Sequence, residues 1–333
     1  MRAPLKADPF SRNHLIRDAI GAALYDAMKA DPAIHLFGEG AEIKMHFDAP
    51  QIEKELPDRA HTLPISEDGN VNFAVGASLL GVKPVVDIIT ADFLYRAMDS
   101  ICNTAAKLNF VQVEGEPPRT IVIRAEFLMG GPTTGQRPEA LFCHIPGLNV
   151  VVPSTPRDAY GLMRTALATP GVTIFFEDRM IPDSEFAGED LEYSGPVPLG
   201  VGRLRQLGGK GTVTVLSYGL ARPLMEKALR DWRMDVDLSI KLSADLIDLR
   251  SLYPIDWGMI KFYLARNGNL LIIEPDVRYG GIGAEIAATI CEELPHVKIK
   301  RLGVLRATIP ANPALHGTML PTEQEIIDAI NSF

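Results

Sequence analysis

The sequence predicts an α/β protein with two open, mostly parallel sheets, one in each half of the chain. Short apolar runs rich in valine and isoleucine alternate with longer segments of helical pattern, which is typical of βα units whose strands are buried on both faces. With 333 residues, the chain is about twice the usual size of a domain, so two domains are expected. The 47% hydrophobic and 23% charged content is typical of a folded globular chain.

The first half of the chain contains five strand patterns and four helix patterns. The strands are predicted at 34–37, 84–89, 120–124, 150–153 and 173–177. The helices are predicted at 15–30, 71–80, 93–106 and 156–168. Ligands of open parallel sheets lie at the carboxyl ends of the strands, so the chemistry is expected in the loops that follow them.

The second half repeats the same alternation after a polar connection. Strands are predicted at 213–217, 245–248, 270–274 and 298–302, and helices near 220–232, 283–293 and 323–330. Between the halves, 183–205 is acidic at first and then rich in glycine and proline, which indicates a linker. The predicted domains are therefore 1–182 and 206–333.

Charge and hydropathy exclude several classes of protein. The net charge is −9 and no basic run occurs, so a nucleic-acid partner is not expected. No stretch of about 18 apolar residues indicates a membrane span. The first residues lack the apolar core of a secretion signal, so we expect a cytoplasmic protein without membrane contact.

The segment LPISEDGN at 63–70 places Glu67 and Asp68 at the start of a helix of small residues. One interpretation is structural, with Ser66 as N-cap and each acid favoured by the helix dipole by about 0.3–1 kcal/mol. The other is catalytic, because apolar flanks would desolvate Glu67 and raise its affinity for a proton, as exchange with a ring nitrogen requires. The spacing alone leaves both interpretations open.

Other motifs exclude common enzyme classes. Glycine-rich stretches at 38–40, 130–132 and 280–283 favour tight turns over phosphate binding, since none has the ending of a P-loop or a complete dinucleotide fingerprint. Neither Gly-x-Ser-x-Gly nor His-Glu-x-x-His occurs, which removes the commonest hydrolase types.

Ordered motifs along nearly the whole chain resemble the β subunit of the decarboxylating first component of 2-oxo-acid dehydrogenase complexes, of the pyruvate and branched-chain types. They are FGE at 37–39, LPISE at 63–67, TADFLY at 90–95, NTAAK at 103–107, HIPGL at 144–148, VPSTP at 152–156, DLRSLYPID at 248–256, GGIGAE at 280–285 and LPT at 320–322. The resemblance implies a thiamine-diphosphate pyrimidine-binding domain followed by a transketolase C-terminal domain.

The resemblance also implies roles for individual residues. It makes Glu67 the catalytic acid that hydrogen-bonds the pyrimidine nitrogen of thiamine diphosphate, and it makes Phe93 a stacking partner of that ring. The cofactor-binding residues that it implies are Glu39, Ile65, Phe93, Tyr95 and Gln136. The capping of the helix by its acids is compatible with this role.

Metal ions and a partner chain are implied in the same way. A structural potassium ion would be held by the backbone carbonyls of Ile121, Ala166, Leu167, Thr169 and Gly171, whose side chains are then free to vary. Thiamine enzymes hold magnesium and diphosphate with Gly-Asp-Gly followed by Asn-Asn, and this sequence contains neither. The resemblance therefore implies an α subunit that carries this motif, in a heterotetramer of two α and two β chains.

One departure from the family pattern concerns the step after decarboxylation. The implied activity passes the acyl group of a 2-oxo acid to a lipoyl acyltransferase or another carrier protein, aided by a histidine after the glycine-rich loop. Thr134 stands at that place here, and a hydroxyl does not titrate near neutral pH. A transketolase-like two-carbon transfer and a non-catalytic scaffold subunit therefore stay as alternatives.

Overall fold

The computed structural model describes residues 14–39, 50–111, 114–128, 133–186, 195–208, 211–235, 243–308, 310, 312, 315 and 319–333. Its strands are β1 (Ile34–Gly38), β2 (Ala60–Thr62), β3 (Lys83–Thr90), β4 (Thr120–Phe127), β5 (Leu148–Val151), β6 (Gly171–Asp178), β7 (Arg203–Leu207), β8 (Val213–Ser217), β9 (Ala244–Asp248), β10 (Ser251–Tyr253), β11 (Asn269–Val277) and β12 (Lys298–Val304). Its α-helices are α1 (His14–Ala30), α2 (Pro50–Glu55), α3 (Glu67–Leu79), α4 (Glu139–Cys143), α5 (Pro156–Ala168), α6 (Ala221–Asp235), α7 (Trp257–Asn267), α8 (Ile282–Glu293) and α9 (Glu323–Asn331).

The strands form two sheets, as predicted. The first has the order β10-β5-β6-β4-β3-β1-β2 and the second the order β12-β11-β8-β9-β7. Neighbouring strands run parallel except at one edge of each sheet, where β10 is antiparallel to β5 and β7 is antiparallel to β9. The predicted fold class of two mostly parallel α/β sheets is confirmed.

Apolar side chains connect the two halves of the molecule. One buried cluster contains residues of both sheets, such as Val86 and Ile123 of the first and Leu216 and Ile272 of the second. Separate clusters cover the opposite faces, with α1 and α5 on the first sheet and α6 and α9 on the second. Each sheet is thus covered on both faces, which agrees with its nearly continuous apolar strands.

The prediction of a continuous α-helix at 93–106 is wrong. The segment forms a 3-10 helix at Ala91–Ala97, a π-helical turn at Ser100–Thr104 and a second 3-10 helix at Ala105–Lys107. The Ser100 hydroxyl contacts Asp68 and accepts a hydrogen bond from Asn72 at 2.8 Å, so this turn is tied to α3. Irregular helical turns of this kind are frequent at functional sites.

Several short elements were not predicted from the sequence: α2, α4, α7, β2, β7 and β10. The strand β7 begins at Arg203, inside the segment predicted as a linker, and 187–194 of that segment lie outside the described residues. The glycine-rich motif at 130–132 lies outside them too. Among the helices that are described, none is both long and apolar enough to cross a membrane.

Candidate active site

Three neighbouring strands end at the candidate site. β1 lies between β2 and β3, and all three run in the same direction, so their carboxyl ends meet at one edge of the sheet. Glu39 directly follows β1, Glu67 lies five residues after the end of β2, and Phe93 lies three residues after the end of β3. The sheet topology therefore brings together side chains that are far apart in the sequence, at the edge where ligands of such sheets bind.

Glu67 is the first residue of α3 and is only 6% exposed. Ser66 occupies the N-cap position, but its side chain makes no capping hydrogen bond, so the predicted capping by its hydroxyl is not observed. The Glu67 Oε2 atom lies 3.4 Å from Nε of Arg96, whose side chain is 75% exposed. A buried carboxylate thus faces an exposed cation at the mouth of the site.

Glu39 lies beside Glu67 and supports the loop that carries it. Its Oε1 atom accepts a hydrogen bond from the backbone N–H of Ser66 at 2.9 Å and one from the side-chain amide of Asn70 at 3.4 Å. Burial raises the pKa of the Glu39 carboxyl, and the nearby charge of Glu67 acts in the same direction. Gly38 permits this arrangement, because a Cβ atom there would lie 2.7 Å from the carbonyl oxygen of Asp87.

Asp92 joins two loops of the site. Its carboxylate accepts hydrogen bonds from the backbone N–H groups of Gly135 and Gln136, both at 3.0 Å, and from the hydroxyl of Thr90 at 3.2 Å. Phe93, the next residue, is half-buried. The loop after β3 and the loop that contains Thr134 are therefore held in a fixed relation by one buried carboxylate.

The remaining predicted pocket residues lie at an open rim. Ile65 is 82% exposed, and Tyr95 and Gln136 are also exposed, so the chain does not enclose them. Partial burial and the nearby Asp276, Asp92 and Glu139 raise the pKa of Tyr95 to about 12, which keeps its phenol protonated at neutral pH.

The residues present fit one half of thiamine diphosphate. A buried carboxylate and a half-buried aromatic side chain at the ends of neighbouring strands suit a planar ring with a weakly basic nitrogen. The site is open to solvent on the side where Ile65 and Tyr95 lie, as a site between two chains requires. No group of three or more His, Cys, Asp or Glu residues that could hold a metal ion occurs in the described part of the chain.

The segments predicted to hold potassium meet at the amino-terminal ends of β4 and β6. Gly171 is the register partner of Thr120, and the Thr120 hydroxyl donates to the carbonyl of Thr169 at 3.2 Å. Ala166 and Leu167 lie in the last turn of α5. Carbonyl oxygens at a helix C-terminus suit a cation, and the binding of potassium stays a prediction.

Three residues with contacts in the site were not predicted: Asn70, Asp92 and Arg96. Asn70 and Asp92 act through hydrogen bonds to backbone groups and loops, which sequence spacing does not reveal. Arg96 lies three residues after Phe93, and one turn of a 3-10 helix is three residues. That spacing places both side chains on the same face of the 3-10 helix, which the sequence pattern did not indicate.

Comparison with known families agrees with this geometry. Residues 14–182 match the model of the transketolase pyrimidine-binding domain, and residues 202–326 match that of the transketolase C-terminal domain. The chain is 32% identical to the 2-oxoisovalerate dehydrogenase subunit beta 2, mitochondrial, of Arabidopsis thaliana, over 94% of this chain and 87% of that protein. The chain belongs to the β-subunit family of the 2-oxo-acid dehydrogenases.

Other members of this family are similar over comparable lengths. The pyruvate dehydrogenase E1 component subunit beta-2, mitochondrial, of Oryza sativa is 30% identical, over 94% of this chain and 84% of that protein. The pyruvate dehydrogenase E1 component subunit beta of Rickettsia bellii is 29% identical, over 95% of this chain and 97% of that protein. The family therefore includes relatives with pyruvate and with branched-chain names, and the identities do not separate the two.

The solved structures support the same fold. A chain described as "Split gene transketolase, inactive beta4 tetramer" superimposes with a TM-score of 0.76 at 23% identity, covering 95% of this chain and 97% of that one. A transketolase from Leishmania mexicana gives a TM-score of 0.71 at 16% identity and covers 95% of this chain. At these identities the likeness concerns the fold alone.

Proposed function

We propose that this chain is the β half of a thiamine-diphosphate-dependent enzyme that decarboxylates a 2-oxo acid and passes the acyl group to a carrier. The observation that carries the proposal is the buried Glu67 carboxylate at the start of α3, at the same edge of the sheet as the half-buried Phe93. The β-subunit relatives of pyruvate and 2-oxoisovalerate dehydrogenases support the same reaction class.

Each residue of the site has a defined task in this proposal. Glu67 would share a proton with the pyrimidine nitrogen, and its burial would strengthen that hydrogen bond. Phe93 supports the face of the ring, and Glu39 holds the backbone of Ser66, which orients the start of α3. Ile65, Tyr95 and Gln136 would contact the cofactor from the rim, which a partner chain would close. When bound, thiamine diphosphate supplies the electron sink for decarboxylation.

The proposal requires an α subunit. Since the sequence lacks the Gly-Asp-Gly and Asn-Asn motifs, the partner must hold the magnesium ion and the diphosphate. We propose a heterotetramer of two α and two β chains, with 1–182 and 206–333 of this chain as domains and 183–205 as linker. A potassium ion at the end of α5 would stabilise the first domain.

The acceptor of the acyl group is the least defined part of the function. Thr134 is half-buried in the loop that Asp92 anchors, and it takes the place where the family pattern has a histidine. Its hydroxyl cannot act as a neutral-pH acid or base. The threonine in place of the histidine favours a second candidate function, a transketolase-like two-carbon transfer, which a direct assay can test.

The replacement Glu67→Gln tests the cofactor-activating role. We expect the α and β chains to assemble normally, while turnover falls by about 10²–10⁴ because the amide cannot exchange the proton. Glu285→Gln is the matched control, since Glu285 is an exposed acid in the first turn of α8. Turnover of the Glu67→Gln assembly within about twofold of wild type would refute the proposal.

A substrate comparison separates the alternatives. The reconstituted α and β chains are assayed with a set of 2-oxo acids, with and without a lipoyl carrier domain, and with ketose phosphates. Carbon dioxide release from a 2-oxo acid without sugar turnover supports the dehydrogenase function and rejects ketol transfer. Failure of the assembled chains to bind thiamine diphosphate in calorimetry would instead indicate a scaffold subunit.

A further inference from the structure

The loop that Asp92 anchors is also held from a second side. Asp92 accepts from the backbone N–H groups of Gly135 and Gln136. The next residue, Arg137, is buried, and its Nη2 atom donates a hydrogen bond to Oδ2 of Asp178 at 2.9 Å. This short segment therefore lies between two buried carboxylates, and the family resemblance gives no role to the second one.

The guanidinium of Arg137 is fixed in one orientation. Its Nε atom donates to Oε1 of Glu139 at 3.2 Å, and its central carbon lies 3.7 Å from the centre of the Phe127 ring. Glu139 and Asp178 are both almost fully buried. An arginine that pairs on two edges and stacks on one face has a defined position, because its planar fork cannot rotate without breaking these contacts.

Asp178 connects this arginine to the second sheet. It is the last residue of β6, and its Oδ2 atom also accepts a hydrogen bond from the backbone N–H of Leu220 at 2.8 Å. Leu220 lies between β8 of the second sheet and α6. A single carboxylate oxygen thus binds the loop through Arg137 and the second sheet through Leu220.

The turn between β8 and α6 packs directly on this ion pair. Gly219 has a positive φ of 51°, and a Cβ atom there would lie 2.9 Å from Oδ2 of Asp178 and 3.2 Å from Nη2 of Arg137. A side chain at this position would therefore displace the pair. The close approach means that the position of the turn and that of the arginine depend on each other.

We propose that Arg137 is a positioning residue that couples the loop of Thr134 to the second sheet and thereby sets how this loop meets the acyl carrier. The inference rests on the proposed function, because transfer to a carrier belongs to it. It goes beyond that function by giving the second sheet a part in the transfer step. Since apolar residues often replace a buried ion pair without loss of stability, a pair that joins two sheets suits the specification of geometry.

The first test compares two reactions of the assembled α and β chains with a 2-oxo acid. One is transfer to a lipoylated carrier domain, and the other is reduction of ferricyanide, which needs no carrier. We expect Arg137→Met to lower transfer by about 10–100-fold, because small displacements of reacting groups are costly. Ferricyanide reduction should fall by less than about threefold, since Glu67 and Phe93 lie on other elements. Arg137→Lys, which keeps the charge, should recover most of the transfer.

The second test perturbs the pair from the second sheet without removing a charge. We expect Gly219→Ala to lower transfer by about 3–30-fold, because the added methyl group displaces Asp178 and Arg137. Gly268→Ala is the matched control. Gly268 also has a positive φ, of 68°, but a Cβ atom there would meet nothing within 4 Å. This comparison tests the inference even where Arg137→Met fails to fold.

Hydrogen exchange reports on the loop itself and does not depend on a carrier. The backbone amides of Gly135 and Gln136 should exchange about tenfold faster in Arg137→Met and in Gly219→Ala, since the loop then loses its second support. Gly268→Ala should leave both amides as protected as in wild type.

The outcomes separate this inference from the proposed function. A wild-type assembly that reduces ferricyanide but never acylates the carrier refutes the carrier function, while amide exchange still decides whether Arg137 holds the loop. Equal losses of both reactions in Arg137→Met would refute the role of Arg137 in the loop, because the whole site would then depend on it. Unchanged transfer and exchange in Gly219→Ala would refute the link to the second sheet.

Discussion

Two groups of charged side chains in this molecule pair arginines with carboxylates, but they differ in burial and in the number of charged partners. The buried network, as we call the first group, lies on the central strands of the first sheet and consists of Arg17, Asp87, Arg124, Glu126, Glu177 and Arg179. The candidate site around Glu67 lies at the ends of the neighbouring strands. There a nearly buried acid has one exposed arginine at 3.4 Å.

The difference indicates what each group is for. In the buried network, Arg124 contacts both Asp87 and Glu177, and Glu126 contacts both Arg17 and Arg179, so each carboxylate lies within 4 Å of at least one arginine. At the candidate site, compensation is partial, and Glu67 keeps capacity for another partner. Mutual pairing among several buried groups suits a structural role, and a single exposed partner suits a binding or catalytic one.

The buried network also supports the site. Asp87 Oδ1 accepts a hydrogen bond at 3.0 Å from the backbone N–H of Ile89, which has a positive φ of 54°. Such a backbone conformation is strained for a β-branched residue and persists only when its surroundings hold it. This turn leads directly to Asp92 and Phe93, so the charges on the strands help to place the side chains at their ends.

The largest effect is expected from Arg124→Met. The substitution leaves the carboxylates of Asp87 and Glu177 without their common buried partner, which should lower the free energy of unfolding by about 3–5 kcal/mol. Urea unfolding of the purified chain measures it. Arg164→Met is the control, because that arginine pairs loosely with the half-exposed Asp26. A loss below about 1 kcal/mol for Arg124→Met would contradict a structural role of the network.

The next prediction concerns the pH dependence of stability. Burial raises the pKa of Glu126 to about 7, so between about pH 4.5 and 7 the folded chain binds a proton that the unfolded chain has released. Stability contributed by this group must therefore fall as pH rises through that range, by at most about 3 kcal/mol. The pKa of Asp87, raised to about 6, acts in the same direction.

Glu126→Gln tests this dependence because glutamine does not titrate. Urea unfolding at pH values from 4.5 to 7.5 should give a clearly smaller slope of stability against pH for this variant than for wild type. Glu285→Gln should keep the wild-type slope. An unchanged slope in Glu126→Gln would mean that Glu126 ionises alike in the folded and unfolded chains.

A smaller effect is expected from a variant that removes hydrogen bonds within the candidate site. Asp92→Ala removes the acceptor of the Gly135 and Gln136 backbone N–H groups. Hydrogen bonds to a charged group contribute about 1.5–3 kcal/mol, so these two amides should exchange about 10–100-fold faster. Asp99→Ala, which removes an exposed acid nearby, should leave them unchanged. Equal protection in wild type and Asp92→Ala would show that the loop is held by other contacts.

Much of the fold follows from the hydrophobic pattern. Each strand predicted as an apolar run appears, because a strand buried on both faces, such as β4 or β8, needs apolar side chains at nearly every position. The missed strands are short or at an edge. β7 reads RLRQL and is only partly buried, and β10 has three residues, so neither carries an apolar signal. The missed helix α7 had a signal, since Asp256 caps it by accepting from the Met259 N–H.

The site was predictable to a lesser extent. Glu39 and Phe93 follow strands that the sequence predicts, whereas Glu67 follows β2, which it does not predict. The adjacency of the three strands is a property of the sheet topology. The contacts of Asp92 and Arg96 depend on the irregular turns at 91–107, where the pattern indicated a regular helix. Tertiary contacts of Ser100 with α3 decide that geometry.

The smallest effect is expected from Thr134→Val. Thr134 adds no charge to the candidate site, so this variant tests whether only the charged residues of the site take part in proton transfer. A hydroxyl does not titrate near neutral pH, so its removal should change turnover by less than about fivefold, the loss of one hydrogen bond, and should leave the pH–rate profile in place. Thr134→His is the matched variant, and it should add an ionisation near pH 6–7 to the transfer step. If Thr134→Val instead lost about 100-fold with an altered pH profile, Thr134 would take part in proton transfer, and the separation between titrating and non-titrating residues of this site would be wrong.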